Sequence, residues 1–563
     1  MAWGETMGMP DRPHVVVGIT QRATGDGWDL SRLHAHRPDL QVVRRGATTL
    51  LLARVEPRTE GDTLVVPLSP QPWPGAGAEV PPFAQARLDP DGTLTVTTDV
   101  LGFRQVYLAS TSGAAAVSTS ATALAHLTRA PVDAQALQTQ SLLGWQAGEA
   151  TPWEGISTPP HGHGVRLRDG RSELVALDAP PAPPPTDDPR EAAVRVADII
   201  REQVDAFLTA EPGAALQLTG GHDSRILLAA VPPSRRPEVT ALTIAVPGSQ
   251  DAPMAASLAA AHGMRHVVLE PQPPGPDVMP EVMSAAHRLD AMADPVSVAS
   301  LHATEGEWAS RPRLVGLGGE TMRGFYYAEP VPRPGPRTVA RLARWRLFPN
   351  ESVAPEVLGP RLDSREESTI ARLTPLVLDE DPGWRQATDL FYLHQRMRRW
   401  AGVLGSATLD RRLVVNPMMH PAVAEQALAL PPRERASSTF LTRVLVELDR
   451  DLALVPLDGR PPPIVNLRTG PARQVQRSRL LAGRVARKAR QRLAGRSAPS
   501  AVSRTWAAAV HEAWRADPSG LHRLADEDLL ARGWVTGFAH GGASLDDAGT
   551  AFVVNLLHAT STR

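Results

Sequence analysis

A chain of 563 residues is too long for one compact core, so two or more domains are expected. Hydrophobic residues make up 42% and charged residues 21%, as in a soluble globular protein, and a formal net charge of −1 gives no overall pull toward nucleic acid or an anionic membrane. There is no cysteine, which excludes disulfides, thiolate metal sites and cysteine nucleophiles together. The start, MAWGETMGMPDRPH, has an early acid and no long apolar core, so no secretory signal is expected. No apolar run reaches membrane-spanning length. Lys488 is the single lysine beside 54 prolines, a skew that reads as coding bias before function.

Strands are expected over residues 14–18, 48–55, 63–67, 85–88 and 93–100, then over 106–108 and 114–118. Helices are expected over 120–128 and 133–143, and a strand around 165–167 follows the turn-rich stretch Gly155–His163. This front portion, 1–178, reads as a strand-rich α+β domain. The proline run of 179–189 stays extended and marks a linker. Past it, Asp188 is placed to cap a helix with Pro189 at its first position and Glu191 three residues on to bond back. Val196, Ile199, Ile200, Val204, Phe207 and Leu208 share one face of that helix.

Ala214–Ala230 then reads as a buried strand, the loop Thr219-Gly220-Gly221-His222-Asp223-Ser224, and a helix start. Two glycines permit close backbone approach, a helix N-terminus presents unpaired N–H groups to an anion, and Asp223 can hold the Mg²⁺ that accompanies a polyphosphate. An ordinary strand-to-helix turn also favours Gly, Asp and Ser. That reading explains one glycine, but explains six such positions after a buried strand poorly. A strand at 239–246, a helix at 252–262 and a strand at 267–269 continue the alternation, which implies a parallel sheet with ligands at its carboxyl ends. Leu314-Val315 opens into a second glycine-rich loop, Gly316–Tyr327, holding Glu320. Helices are expected over 388–404, with Leu390, Leu393, Met397 and Trp400 inward, and over 422–430 and 440–448. The very basic stretch 474–496 reads as a helix with a solvated face. Beyond it Trp506, Trp514 and Trp534 read as packing anchors, His161 and His163 as part of a turn, and His262 and His266 as flanking a helix end.

The Thr219–Ser224 loop resembles the S-G-G-x-D-S pyrophosphate loop of the ATP pyrophosphatase superfamily, and not a Walker A loop, which would need Gly-Lys-Ser/Thr. Along nearly its whole length the chain resembles the asparagine synthetase family. Asp99–Tyr107 and Gly155–His163 are similar to segments of that family's N-terminal-nucleophile glutaminase domain, and Gly316–Tyr326 to its G-E-G-S-D-E-L-F-G-G-Y loop. The fold so implied is a degenerate glutaminase-like α+β domain at 1–178, then at 190–563 a parallel-sheet ATP-pyrophosphatase domain with a helical C-terminal part. The resemblance places ATP and pyrophosphate on Leu218, Thr219, Gly220, Gly221, Asp223, Ser224, Ile244, Gly318 and Gly319, Mg²⁺ on Asp223 and Glu320, and catalytic roles on Arg460 and Glu320.

Three departures shape the expected function. Position 2 is Ala2, and without any thiol there is no covalent route from glutamine to ammonia, so the front domain is expected to be a structural relic. Leu317 stands where asparagine synthetases carry Glu and β-lactam synthetases Tyr, and leucine cannot move a proton. The family's C-terminal-loop lysine is missing, with Arg460 the nearest cation. The resemblance therefore implies a cytoplasmic, ATP- and Mg²⁺-dependent amide ligase without glutaminase activity, leaning toward a lasso-peptide macrolactam synthetase. Its partners would be a precursor peptide carrying the carboxylate, with a leader peptidase or leader-binding protein, and neither membrane nor nucleic acid. Amidation of a small molecule or sugar acid, a β-lactam-type ligase and a non-catalytic scaffold stand as alternatives.

Overall fold

The computed structural model describes residues 14–22, 27–69, 81–178, 184–246, 249–327, 331, 333–349, 351–378, 383–457, 460–468 and 501–562. Ala2, residues 179–183 of the proline-rich linker and the basic stretch 474–496 lie outside them. The fold class is the expected one: antiparallel sheets in front, a parallel sheet with helices behind.

Alternating apolar residues in the front portion build two six-stranded antiparallel sheets. One has the order β10 (Ile156–Ser157), β8 (Tyr107–Ser110), β9 (Ala114–Ser118), β1 (Val15–Gln21), β3 (Thr48–Ala53), β2 (Gln41–Arg45). The other runs β12 (Arg171–Ala176), β11 (His163–Arg168), β7 (Leu94–Thr98), β6 (Ala84–Leu88), β5 (Thr63–Pro67), β4 (Arg58–Glu60). Their facing sides share a core of Val16, Leu50, Leu52, Val66, Leu88, Leu94, Val96 and Leu167. Gly18 allows the sheets to approach, since a Cβ there would fall 2.1 Å from Leu94 Cδ2. Strands β2, β4, β10 and β12 were not foreseen; β2, β4 and β12 are largely exposed edge-side strands with no buried face to pattern them.

The outer face of the first sheet is covered by helices from both ends of the chain. Helices α1 (Ser31–His36), α2 (Ala121–Thr128) and α3 (Ala134–Leu143) supply Leu33, Leu124 and Leu137. Later residues complete the same core: Val282 and Leu289, then Trp506, Trp514, Trp534, Phe552 and Leu556. The three tryptophans are anchors as expected, but of a core shared with the front domain.

The back portion carries a five-stranded parallel sheet, β15 (Arg265–Leu269), β14 (Thr240–Ile244), β13 (Ala215–Gln217), β16 (Arg313–Leu314), β17 (Val414–Val415). Helix α4 (Pro189–Ala210) packs on it through Val196, Ile200, Val204 and Phe207, with Ile199 only half-buried. Asp188 caps α4 through Arg190 N (2.8 Å), but Glu191 does not bond back. Instead Thr186 Oγ1 accepts from Asp188 N and donates to Glu191, whose other oxygen pairs with Arg195 one turn on. A charged partner at i+4 outcompetes the backbone N–H. The expected helix at 388–404 is longer and wider, running from Trp384 to Leu409 through a π-helical stretch, Tyr392–Ala401. Leu393 and Met397 are buried as expected, whereas Leu390 and Trp400 are half-buried. His266 lies within β15, not at a helix end, and its Nε2 bonds Thr243 Oγ1 (2.9 Å).

Candidate functional site

In the parallel sheet β13 sits between β14 on one side and β16 on the other, so the crevice at their carboxyl ends is a topological switch point, where open α/β sheets bind ligands. Helix α5 (His222–Ala230) follows β13, and the Gly316–Tyr327 loop follows β16. Both predicted loops therefore meet in that crevice. Leu218 is buried and bonded to Leu242 O (2.9 Å), and Ile244 closes β14 beside it.

The first loop is held by its own hydroxyls. Thr219 N donates to Ser224 Oγ and Gly221 N to Thr219 Oγ1, each at 3.1 Å. Gly220 N donates to Asp251 Oδ1 (2.8 Å) in the first turn of α6 (Asp251–Ala261), a contact the sequence did not announce. An anion here is met by the first-turn N–H groups of α5, which have no partner within a helix. Arg225 is buried and ties α5 to the 454–460 loop by donating to Val455 O (2.7 Å) and Pro456 O (2.5 Å). The tether brings Arg460 near, since its charge acts on both His222 and Asp223.

The second loop closes on the first because it has no side chains in the way. A Cβ on Gly316 would lie 2.9 Å from Asp223 C and Ser224 N, and one on Gly319 would lie 2.3 Å from Asp223 Oδ1. Gly318 adopts φ 101°, which turns the chain into the short helical turn carrying Glu320. The loop's far end is anchored where Tyr327 Oη donates to Asp389 Oδ2 (2.5 Å), itself paired with the buried Arg435 (2.8 Å).

Asp223 and Glu320 thus come together. Burial and the Glu320 charge push the Asp223 carboxyl up to about 7, against the opposing pull of Arg323 and Arg460. Asp223 Oδ1 is buried without a hydrogen-bond partner. A desolvated carboxylate with an unspent oxygen beside a second carboxylate fits a divalent cation. Among the described residues no group of three His, Cys, Asp or Glu is arranged to hold a metal. The two carboxylates suit Mg²⁺, which keeps water and phosphate oxygens for its remaining positions.

Sequence reasoning missed Arg323, which pairs with Glu320 and carries a charge felt by Asp223. Position 323 is Phe in the motif this loop resembles, so nothing in the pattern pointed to a cation. It also assigned no role to His222, whose pKa burial, Arg323, Arg225 and Arg460 lower to about 3. His222 therefore stays neutral near pH 7. Leu317 is half-buried and packs against the apolar cluster that includes Tyr326, Phe391, Tyr392 and Met397.

The front-domain motifs grip the wall of this region. Asp99 is buried and accepts from Phe83 N (3.2 Å), Phe103 N (2.8 Å) and Arg104 N (3.0 Å), shaping the 99–107 turn. From that turn Gln105 Nε2 donates to Arg398 O (3.0 Å), and Gln105 Oε1 accepts from Arg399 (2.5 Å). Arg398 also donates to Pro159 O, and His161 stacks on His394 with ring centroids 3.7 Å apart. Segments resembling glutaminase motifs here act as struts on the 384–409 helix.

A parallel sheet with a glycine-paired loop and two carboxylates at its switch point is the arrangement expected from the resemblance to the ATP pyrophosphatase superfamily. Residues 195–320, from α4 to Glu320, match the family model described as Asparagine synthase. The family is ATP-utilising and forms amide bonds. No curated protein matches the chain.

Proposed function

We propose that this chain is an ATP- and Mg²⁺-dependent ligase that adenylates a carboxylate and joins the acyl group to an amine, acting as a peptide macrolactam synthetase without glutaminase activity. The observation that carries the reading is the meeting of Asp223 and Glu320 across the switch point, beside the N-terminus of α5. Bound Mg²⁺ would supply charge neutralisation on the polyphosphate. Asp223 and Glu320 hold that cation, and the α5 N-terminus faces the anion. Arg323 and Arg460 place positive charge where the leaving pyrophosphate gathers negative charge. A substrate carboxylate oxygen bonds the α-phosphorus as the bond to pyrophosphate breaks; the amine nitrogen then bonds the acyl carbon, AMP leaves, and the amine's proton passes to solvent.

The apolar packing of Leu317, at the position where the resembled motifs carry Glu or Tyr, favours an amine that arrives already deprotonated, since leucine supplies no base. A peptide's α-amine, with a reference pKa of about 8, meets that need better than a side-chain amine at about 10. Peptide cyclisation by a terminal amine onto an Asp or Glu side chain follows as the favoured reaction, with a precursor peptide and a leader-binding or leader-cleaving protein as partners. The test is ATP–pyrophosphate exchange with a linear peptide carrying a free N-terminus and an internal Asp or Glu. Exchange and loss of one water from the peptide are expected, with no glutamate released from glutamine. Exchange driven only by small acids would move the assignment to small-molecule amidation, and exchange that stays at background with every carboxylate would leave a scaffold.

A further inference from the structure

A cavity of about 320 Å³ lies where α3, helix α7 (Pro295–Glu305), Glu351 and the C-terminal helices meet. It shares no lining residue with either loop of the candidate active site. Three carboxyl groups, Asp294, Glu351 and Asp547, line it from three separate segments. Burial pushes all three upward, and the Asp294 charge raises both Glu351 and Asp547 further, so they lie within electrostatic reach of one another. Arg396 partly offsets Glu351, and Arg504 partly offsets Asp547.

Asp294 is committed to the fold. Its Oδ1 accepts from Val296 N (2.9 Å) and Ser297 N (3.0 Å) as the cap of α7, and its Oδ2 from Ser297 Oγ (2.5 Å). The Glu351 carboxylate lies against Gly144, where a Cβ would meet its Oε2 at 2.7 Å. Asp547 has a buried Oδ2 without a hydrogen-bond partner. An independent feature of the same cavity is Asn555, only 3% exposed. Its Nδ2 donates to Ala293 O (2.9 Å), which fixes the amide's orientation, and its Oδ1 is left buried with no partner. The unspent atoms of Asp547 and Asn555 are thus acceptors, in a cavity whose walls carry negative charge. An unpaired buried acceptor costs stability, and a desolvated carboxylate costs more.

A ligand with N–H donors and positive charge removes both costs at once. Among the described residues no set of three His, Cys, Asp or Glu is clustered around one point, so the carboxyl groups of this cavity are spread over its walls, as suits a ligand with several atoms. Its volume is about ten times the roughly 30 Å³ that one water takes in the liquid. We propose that this cavity binds a small organic cation, a primary ammonium or guanidinium compound, with Glu351 and Asp547 as counter-charges and Asn555 Oδ1 as a hydrogen-bond acceptor. The site is independent of the nucleotide reading, since occupancy requires neither ATP nor Mg²⁺.

Calorimetric titration of the full chain with cadaverine, and with 1,5-pentanediol as its uncharged match in length, tests this directly. Cadaverine is expected to bind and the diol to give no heat. Asp547→Asn and Glu351→Gln are each expected to weaken cadaverine about tenfold, the scale of one charge-assisted hydrogen bond. Asn555→Asp adds a fourth carboxylate and is expected to tighten it. Melting curves of each variant show that it is folded. Absence of heat from cadaverine at millimolar concentration, equal binding of the diol, Mg²⁺ displacing cadaverine one for one, or affinities unmoved in all three variants would overturn the proposal.

Discussion

Gly316→Ala tests whether the two loops must touch. A methyl at that position would sit 2.9 Å from Asp223 C and Ser224 N, both backbone atoms that cannot rotate away. Ordinary contact begins near 3.4 Å, so the second loop must retreat by roughly half an ångström, and overpacking of this kind costs about 1–3 kcal/mol. Glu320 rides on the same loop, so its distance from Asp223 grows by a similar amount. Displacements approaching 1 Å cost about 10²-fold where reacting groups must be aligned. Urea unfolding should show the loss of stability, and titration with Mg²⁺ and a non-hydrolysable ATP analogue should show affinity falling by about one to two orders of magnitude. Gly533→Ala is the control, since a Cβ there meets nothing within 4 Å and the position is helical, so it should be neutral or slightly stabilising, within about 1 kcal/mol of the parent. Parent-like nucleotide affinity in a Gly316→Ala variant of lowered stability would refute the idea that this contact sets the metal pair.

Asp223→Ala should abolish Mg²⁺-dependent nucleotide binding while leaving the circular dichroism spectrum unchanged, because it removes a carboxylate with an unspent oxygen rather than core volume. Leu317→Glu should not raise turnover, and the rate should instead climb with pH through the amine's own pKa; a gain from the glutamate would point to a small-molecule amine. His36, His126, His287 and His558 form a ring cluster, His36 and His126 stacking at 3.8 Å, with Thr122, Trp153, Arg37 and Arg288 around it. Burial, then His126 and His36, lower His558 to about 3, and burial, then His558, hold His287 well below its usual value. Their folded pKa values lie below the unfolded value near 6.5, so their contribution is complete above that pH and is lost as pH falls toward the folded values. Each should cost about 1 kcal/mol at pH 5.5, and His558→Gln should shrink the stability difference between pH 7.5 and 5.5 by that amount, read from urea midpoints.

Local chemistry was legible where one short stretch carried the whole signal. The Thr219–Ser224 turn could be read because strand, paired glycines, acid and helix start are contiguous, and the switch-point sheet followed from the alternation around it. Strand β17 could not be read, since two residues have no period. Arg323 was invisible because an arginine after Met322 has no signature until the fold sets it against Glu320 and Asp223. The histidine cluster draws on positions 36, 126, 287 and 558, and the acidic cavity on three distant segments, so neither has a sequence pattern at all. Glu191 was misread for a different reason. The capping spacing was present, but Arg195 and Thr186 made better partners.

The sheet that begins at Val15 is roofed by helices drawn from Val278–Arg288 and from the last sixty residues. Deleting the front domain would strip apolar cover from Trp506, Phe552 and Leu556, and deleting the C-terminal helices would expose Val17, Leu51 and Ala116. Each portion completes its core with side chains from the other, so neither can be removed without exposing apolar residues of its neighbour. The same dependence makes this chain a poor candidate for trimming into a minimal catalyst.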